Sequence, residues 1–244
     1  MKLRKLLRKP LASLLKRYYM VINGGYSIGS AYGARYLFDW RHSLDKKVAL
    51  ELYEYEQITY LTESLGQIQP NLFIDIGSHA ALYSIILKNR FPGIEVHAFE
   101  PDRTNLCQLY ANLFVNKLTH GIKVHEFGLS NHSGSITFDA SEATSSRGTR
   151  RISDSGNIEI EIKRLDDVLN TNGKVIAIKI DVEGHENLVV DGAHNILSSN
   201  QCFLQIECAD VKLDLLKQKM DKLGYRWIKV IDGHDHYFSN IPQP

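Results

Sequence analysis

Short apolar runs alternate along most of the chain with stretches in which apolar residues recur at helical spacing. Continuous apolar runs are typical of strands buried on both faces of a parallel sheet. The predicted strands are 71–76, 95–99, 122–127, 174–180 and 202–207. The predicted helices are 45–65, 80–89, 102–116, 165–169, 185–198 and 211–223. Strands that alternate with helices predict an α/β fold with a mostly parallel sheet and helices on both faces.

The last two predicted strands differ from the others. Residues 225–231 and 236–239 fit a strand pair around a turn at Asp232 and Gly233. Such a hairpin reverses the chain, so it predicts an antiparallel edge strand. With the five earlier strands it makes a sheet of seven.

An insertion interrupts the alternation after the third strand. Residues 135–139 and 158–163 look like the two arms of a hairpin, with the polar, Ser-rich segment 140–157 between them. This segment is expected to overhang the edge of the sheet where ligands bind. Its Arg147, Arg150 and Arg151 either bind an anionic acceptor or belong to a solvated loop.

Residues 1–20 form a basic, Leu-rich arm. Its Leu residues recur at helical spacing with cations between them, and Pro10 is expected to break or kink the helix. A basic amphipathic helix can lie on an anionic membrane surface; the alternatives are a poorly ordered terminus or packing on a neighbouring subunit. Residues 21–44 show no clear period and are read as irregular. The predicted organisation is an arm and lead-in over 1–44 and a domain over 45–244, with the insertion at about 135–163.

Composition favours a soluble, cytoplasmic protein. Hydrophobic residues make up 43% and charged residues 23% of the 244 positions, which is ordinary for a globular domain. No apolar run reaches about eighteen residues, and the cation-rich start does not resemble a secretory signal. The cysteines Cys107, Cys202 and Cys208 are odd in number and lack a CxxC pair, which favours reduced thiols.

The net charge of +1 is unevenly distributed. Residues 1–17 hold seven Lys or Arg and no acid, which leaves 22 basic against 28 acidic residues in the rest of the chain. The body is therefore not expected to bind nucleic acid.

Acidic residues follow the predicted strands with unusual regularity. Asp75 ends the first strand and Glu100 follows the second, Asp181 and Glu183 follow the fourth, and Glu207 ends the fifth. In open α/β sheets, ligands bind beyond the carboxyl ends of the strands. The acids are therefore expected at a ligand site, since unpaired acids there would otherwise be costly.

The turn after the first strand helps to distinguish cofactor classes. A dinucleotide site needs G-x-G-x-x-G, whereas Gly77 is followed by no second or third glycine. S-adenosylmethionine has no phosphate, and an acidic site suits its cationic sulfonium. Gly77 is expected to leave room for its adenosyl moiety, and Asp75 to act through its amino group or a water near it. Glu100 is expected to accept both ribose hydroxyl protons. A methyl-donor site is favoured over a nicotinamide site.

With these residues in view, the chain resembles the FkbM family of S-adenosylmethionine-dependent methyltransferases. The resemblance covers about residues 50–240, and its most specific part is the eight-residue run KIDVEGHE. The matching motifs are 75–84 (DIGSHAALYS), 99–101 (FEP) followed by Asn105, 165–167 (LDD) and 179–186 (KIDVEGHE). The resemblance implies a class I methyltransferase (Rossmann-like) fold and O-methylation of a small-molecule or glycan acceptor, such as a sugar-containing, lipid-linked or secondary-metabolite hydroxyl.

The motif positions and strand ends together indicate a cofactor site. The expected contacts are Asp75, Gly77, Ser78, His79, Tyr83, Ser84, Glu100, Pro101, Asn105, Gly128, Leu129, Ser130 and Asp181. Two positions depart from the family pattern: His79 replaces the usual Asn, and Ala81 replaces the usual second Gly. Ala81 needs a negative φ to avoid strain. These departures leave a non-catalytic binding or scaffold protein as the alternative.

An alcohol is a poor nucleophile until its proton is removed, so the site needs a base. The expected catalytic candidates are Asp181, Glu183 and Glu207, with His185 next and Lys179 at the sheet or its rim. Glu183 alternatively caps the following helix. Asp181 with Glu207 offers too few oxygen ligands for a hard cation, so no metal is predicted.

Overall fold

A computed structural model describes the backbone of residues 2–139, 151–152 and 158–242, and the side chains of residues 10–137 and 158–242. The described helices are α1 Lys2–Asn23, α2 Ser43–Ala49, α3 Tyr55–Ile68, α4 Leu82–Arg90, α5 Arg103–Val115, α6 Leu165–Val168, α7 Glu186–Gly192, α8 His194–Ser199 and α9 Asp210–Lys222. The described strands are β1 Tyr26–Ala31, β2 Ala34–Asp39, β3 Leu72–Ile76, β4 Glu95–Phe99, β5 Lys123–His125, β6 Gly128–Leu129, β7 Gly134–Asp139, β8 Arg151–Ile152, β9 Ile158–Lys163, β10 Val175–Ile180, β11 Gln201–Glu207, β12 Arg226–Ile231 and β13 Asp235–Ser239.

The main sheet has seven strands in the order β12-β13-β11-β10-β3-β4-β5. The pairs β11-β10, β10-β3, β3-β4 and β4-β5 are parallel, and β13 is antiparallel to both of its neighbours. The predicted α/β architecture, with its mostly parallel sheet and antiparallel hairpin at one edge, is confirmed. Hydrophobic clusters cover both faces, one around Leu61, Phe73 and Leu109, the other around Ile74, Ile178 and Leu204.

The insertion after β5 forms a separate four-stranded sheet in the order β6-β9-β7-β8. Its central pair, β7 and β9, is antiparallel, so the predicted hairpin arms are confirmed. Arg147 and Arg150 lie outside the described residues, as does the side chain of Arg151. Their predicted part in acceptor binding therefore stays a prediction.

The first 68 residues differ most from the sequence prediction. Helix α1 continues through Pro10, so no break occurs there, and the alternative of a kink stays a prediction. Residues 26–39, read as irregular, form the hairpin β1-β2 around Tyr32 and Gly33, which both adopt positive φ. The predicted helix 45–65 is two helices, α2 and α3, separated by residues 50–54.

The hairpin belongs to the folded body rather than to a lead-in. The backbone amide of Leu37 donates to Asn112 Oδ1 on α5 at 2.7 Å, and Gln108 Nε2 donates to the Leu37 carbonyl at 2.8 Å. Tyr36 and Phe38 are buried in the same hydrophobic cluster as α3 and α5. Ala34, Tyr36 and Phe38 of β2 alternate toward this cluster, and a strand of six residues is too short for this period to stand out in the sequence.

Two smaller expectations have clear outcomes. Asp102 caps α5 as predicted, since Asp102 Oδ1 accepts from the amides of Thr104 at 2.7 Å and Asn105 at 3.0 Å. The predicted helix 185–198 is divided at Ala193 into α7 and α8. None of the helices in the described part of the chain combines the length and apolar character needed to cross a membrane.

Candidate active site

Four neighbouring strands of the sheet, in the order β11-β10-β3-β4, end at acidic residues. Glu207 ends β11, Asp181 follows β10, Asp75 lies near the end of β3 and Glu100 follows β4. Since these strands are parallel, their carboxyl ends meet at one edge. The sheet therefore brings together acids that are up to 132 positions apart in the sequence.

The turn after β3 depends on Gly77. Its φ is +78°, and a Cβ at this position would lie 1.8 Å from the carbonyl oxygen of Asp181. The amides of Gly77 and Ser78 both donate to the Phe99 carbonyl at 3.0 Å. The missing side chain thus admits the backbone of Asp181, and the expectation that it also makes room for an adenosyl moiety stays a prediction.

Asp75 is buried beneath this turn. Its Oδ2 accepts from the amide of Ser84 at 3.1 Å and from Ser84 Oγ at 2.7 Å. Burial raises the pKa of Asp75, against the opposing charge of Lys179 and the hydrogen bonds from Ser84. Asp75 and Ser84, both predicted to bind the cofactor, are therefore bonded to each other and tie the turn to α4.

Glu100 is also buried, and its oxygens accept from three donors. These are the His79 amide at 2.9 Å, the Asp102 amide at 2.8 Å and Asn105 Nδ2 at 3.3 Å. Burial raises the pKa of Glu100 to about 7. The site thus brings Glu100, His79 and Asn105 together as predicted.

Two polar atoms of this region lack a hydrogen-bond partner among the described residues. Ser78 Oγ and Asn105 Oδ1 are buried, and no group in the described residues hydrogen-bonds to them. Buried polar atoms are usually satisfied. A ligand with hydroxyl or amino donors would satisfy the two atoms.

Three carboxylates gather at the ends of β10 and β11. Glu54, Asp181 and Glu207 each offer an oxygen, and these oxygens lie within 4.8 Å of one another. Lys179 Nζ lies 2.7 Å from Asp181 Oδ2 and 4.8 Å from the ring centroid of Tyr83. Lys179 was expected to lie either within the sheet or at its rim. Its side chain is buried against this carboxylate cluster.

The charges in the carboxylate cluster are unequal. Burial opposes ionisation of Asp181, but the ammonium of Lys179 outweighs it and holds the pKa of Asp181 below its usual range. Burial, reinforced by the charge of Asp181, raises the pKa of Glu207 to about 9. Glu207 and Asp181 are hydrogen-bonded to each other. At neutral pH, Asp181 is therefore ionised and Glu207 holds the proton between them.

Glu54 is the site residue that the sequence prediction missed. It lies in the break between α2 and α3, has a φ of +44° and accepts from the hydroxyl of Tyr83 at 2.6 Å. Gln205 Nε2 bonds Tyr83 Oη at 3.3 Å and Asp235 Oδ1 at 2.7 Å. Tyr83, predicted to bind the cofactor, thus also supports the carboxylate cluster. The sequence predicted one continuous helix through Glu54, and Glu54 belongs to none of the motifs, so it was not recognised as a site residue.

Glu183 and His185 lie apart from the carboxylate cluster. Glu183 is exposed, the cap position of α7 is His185, and the Gly184 amide donates to Glu186 at 2.7 Å. The alternative role of Glu183 as a helix cap stays a prediction. His185 Nε2 is hydrogen-bonded to Ser130 Oγ at 2.8 Å. Burial lowers the pKa of His185 to about 4, so its ring is neutral at pH 7.

The remaining predicted cofactor residues lie beside the small sheet and the second strand end. Gly128 and Leu129 form β6, which pairs with β9 in parallel, and the Ser130 amide donates to the Lys163 carbonyl at 2.9 Å. Pro101 lies between Glu100 and Asp102 at the start of α5. Both segments follow strands of the sheet, as expected.

Two cavities border the carboxylate cluster. The first is lined by the turn after β3 together with Lys179 and Asp181. The second, of about 510 Å³, is lined by Glu54, Glu207 and Asp235. Tyr53 lines both, so the carboxylate cluster lies where the two cavities approach each other. The size of the second cavity is in the range of small-molecule pockets.

Backbone strain is concentrated in the same region. Glu54, His79, Ala81, Glu183 and Asp232 all have positive φ values, which non-glycine residues rarely adopt. Ala81 has a φ of +61°, so it does not meet the condition for an unstrained alanine. Strained residues that are held in place by surrounding structure are typical of functional sites.

The chain is similar to known methyltransferases. A family model described as "Methyltransferase FkbM domain" matches residues 75–227, which is more than half of the chain. Methyltransferase sdnD of Sordaria araneosa is 28% identical over 52% of this chain and 62% of its own length. Hexuronic acid methyltransferase AglP of Haloferax volcanii is 30% identical over 51% of each. The chain thus spans about half to three fifths of the length of these relatives.

A solved structure supports the fold. The crystal structure of Methyltransferase FkbM from Methylobacillus flagellatus superposes with a TM-score of 0.50 at 18% identity. The match covers 80% of this chain and 54% of that one. At this identity the likeness indicates the shared α/β fold.

Proposed function

Since this chain belongs to the FkbM family of methyltransferases, we propose that it transfers a methyl group from S-adenosylmethionine to a hydroxyl of a sugar-containing acceptor. One observation carries the proposal: an ionised Asp181, held by Lys179, lies between two cavities together with Glu54 and Glu207. We assign this reaction to the predicted domain 45–244, and we add the β1-β2 hairpin to that domain.

The cofactor side is the region around Glu100 and the turn after β3, which borders the first cavity of about 50 Å³. When bound, S-adenosylmethionine supplies an electrophilic methyl group on a sulfonium centre. Glu100, Ser78 Oγ and Asn105 Oδ1 can accept from its hydroxyl and amino groups, since the last two atoms have no partner among the described residues. Asp75 and Asp181 add the negative charge that suits a cation.

Asp181 is the proposed base. Removal of the acceptor hydroxyl's proton must accompany attack on the methyl group. Lys179 keeps Asp181 ionised at neutral pH, whereas Glu207 is protonated there. Glu183 is exposed and His185 is bonded to Ser130, so both are less suited to this role.

The acceptor side is the second cavity. Its carboxylates can accept from several hydroxyls of a sugar, and its Lys46 and Lys47 can bind an acidic group. No ion pair in the described part of the chain joins either lysine to a carboxylate. The similarity to a hexuronic acid methyltransferase agrees with an acceptor that carries both hydroxyls and an acid.

Calorimetric titration with S-adenosylmethionine and, separately, with NAD tests the cofactor. We expect saturable binding of the methyl donor only, weakened in Glu100→Ala by about 1.5–3 kcal/mol, the scale of a charge-assisted hydrogen bond. Glu126→Ala, at an exposed carboxylate bonded to Tyr110, is the matched control. No binding by the wild-type chain would contradict the proposal.

Turnover tests the reaction. Release of S-adenosylhomocysteine should require an added acceptor, with hexuronic acid glycosides converted faster than the neutral hexose glycosides. Donor binding without turnover across such a panel would favour the alternative, a methyltransferase-fold scaffold, which the strained His79 and Ala81 motivate.

A further inference from the structure

One face of α1 exposes apolar side chains to solvent. Leu14 is 66% exposed and Val21 is 85% exposed. Further exposed members of this face are Leu11, Tyr18 and Ile22. Steps of three, four, three and one residues place all five within one stripe of the helix surface, here called the α1 stripe. Contiguous exposed apolar surface of this kind marks an interaction site.

The face of α1 that adjoins the stripe is fixed to the body. Leu15 and Tyr19 pack against the main hydrophobic cluster, and the Tyr19 ring stacks on Trp40 at 5.3 Å between centroids. The Gly25 amide donates to the Tyr19 carbonyl at 2.9 Å and closes the end of the helix. These contacts hold α1 against the body, and they leave the α1 stripe exposed to solvent.

Charge identifies what the α1 stripe meets. Residues 1–17 contain seven Lys or Arg, and the first acidic residue of the chain is Asp39. The exposed Arg17 lies next to Tyr18 of the stripe. The charged residues of this helix are all cations, and its apolar stripe faces solvent. Such a helix suits an anionic lipid surface, where insertion of the apolar side chains and attraction of the cations both favour binding.

We propose that α1 docks flat on an anionic lipid bilayer through the α1 stripe. Ala12 of the same helix lines the 510 Å³ cavity that contains Glu54 and Glu207. Docking therefore brings the mouth of this cavity close to the bilayer surface. The docking itself is independent of the methyltransferase activity.

Vesicle flotation of the full chain tests the proposal. The chain should float with vesicles of phosphatidylglycerol and phosphatidylcholine, and much less with phosphatidylcholine alone. The double variant Leu14→Asp/Val21→Asp should bind more weakly by at least about thirtyfold, because it gains two repelled charges and also loses two inserted side chains. Val211→Asp/Leu215→Asp makes the same change at exposed apolar residues of α9 and should float like the wild-type chain.

A single charge reversal provides a second route that disturbs no packing. Arg17→Glu should weaken flotation by about thirtyfold, since each cation near the surface contributes about 1 kcal/mol and its reversal counts twice. Lys222→Glu, exposed on α9, should leave flotation unchanged. Unchanged thermal unfolding and methyl-donor binding in each variant would confirm that the fold persists.

Three outcomes would overturn the proposal. The wild-type chain fails to float, or the α9 variants lose flotation as much as the α1 variants do. The third is a dimer in sedimentation equilibrium that the α1 substitutions dissociate, without vesicle binding; the stripe would then bind a second copy of the chain. None of these outcomes bears on whether the chain transfers methyl groups.

Discussion

The carbonyl oxygen of Asp181 occupies the space into which a side chain at Gly77 would project, 1.8 Å from the Cβ position. The Asp181 amide also donates to the Ile76 carbonyl at 3.0 Å, so the ends of β3 and β10 are bonded where they are closest. This contact sets the distance between the turn on the cofactor side and the proposed base. The glycine of the first motif therefore allows the ends of β3 and β10 to lie close together.

Replacement of Gly77 tests this contact. Gly77→Ala should lower the free energy of unfolding by about 1–3 kcal/mol more than Gly173→Ala, the range for forced overpacking. Both glycines have positive φ, at +78° and +67°, but only Gly77 has backbone within reach of a new Cβ. Urea denaturation measures both variants. Equal losses would mean that φ alone selects glycine at position 77.

Ala81 stores strain that glycine would release. Its φ of +61° costs an L-residue about 1–2 kcal/mol, against about 0.8 kcal/mol for the buried methyl group that is lost. Ala81→Gly should therefore be neutral or stabilising. Ala80→Gly, at an adjacent buried alanine without positive φ, should destabilise the chain. The prediction fails if the two variants unfold at the same denaturant concentration.

Glu207 should make stability depend on pH. Its pKa is raised from 4.5 in the unfolded chain to about 9 in the fold, so the folded state binds the extra proton between these values. Stability from this group is thus fully present below about pH 4.5 and is lost as pH rises towards 9, by at most about 1.4 kcal/mol per pH unit.

The variant Glu207→Gln isolates that contribution, because glutamine is neutral at every pH. The difference in unfolding free energy between the variant and the wild-type chain should grow in favour of the variant from pH 5 to pH 9. Subtraction of the two curves cancels the opposing contributions of His125 and His185, whose pKa values are lowered by burial. A constant difference across this range would contradict the proposed proton position.

Asp181 should control the chemical step. Asp181→Asn removes the proposed base with little change in size and should lower kcat by about 10²–10⁴-fold, the usual contribution of a general base. The exposed Glu183→Gln is the matched control and should change kcat little. Methyl-donor affinity, measured by calorimetry, should stay at wild type in Glu183→Gln and should fall in Asp181→Asn by much less than kcat does, since that variant also loses one negative charge near the cationic cofactor. A larger effect of Glu183→Gln would reassign the base.

The sequence by itself determined the alternation of strands and helices and the positions of four strand-end acids. Strands covered on both faces must be continuously apolar, so β3, β4, β10 and β11 are legible without a structure. The motif positions Asp75, Glu100 and Asp181 were found for the same reason, since an acid directly after such a run stands out.

Only the tertiary structure decided how these groups work. Glu54 entered the carboxylate cluster because residues 50–54 leave the helical path, which local spacing did not reveal. The hairpin β1-β2 formed because α5 supplies its partners from about 75 positions away. The proton between Asp181 and Glu207 depends on burial and on Lys179, and such effects arise from distance in space, which the order of residues along a chain does not contain.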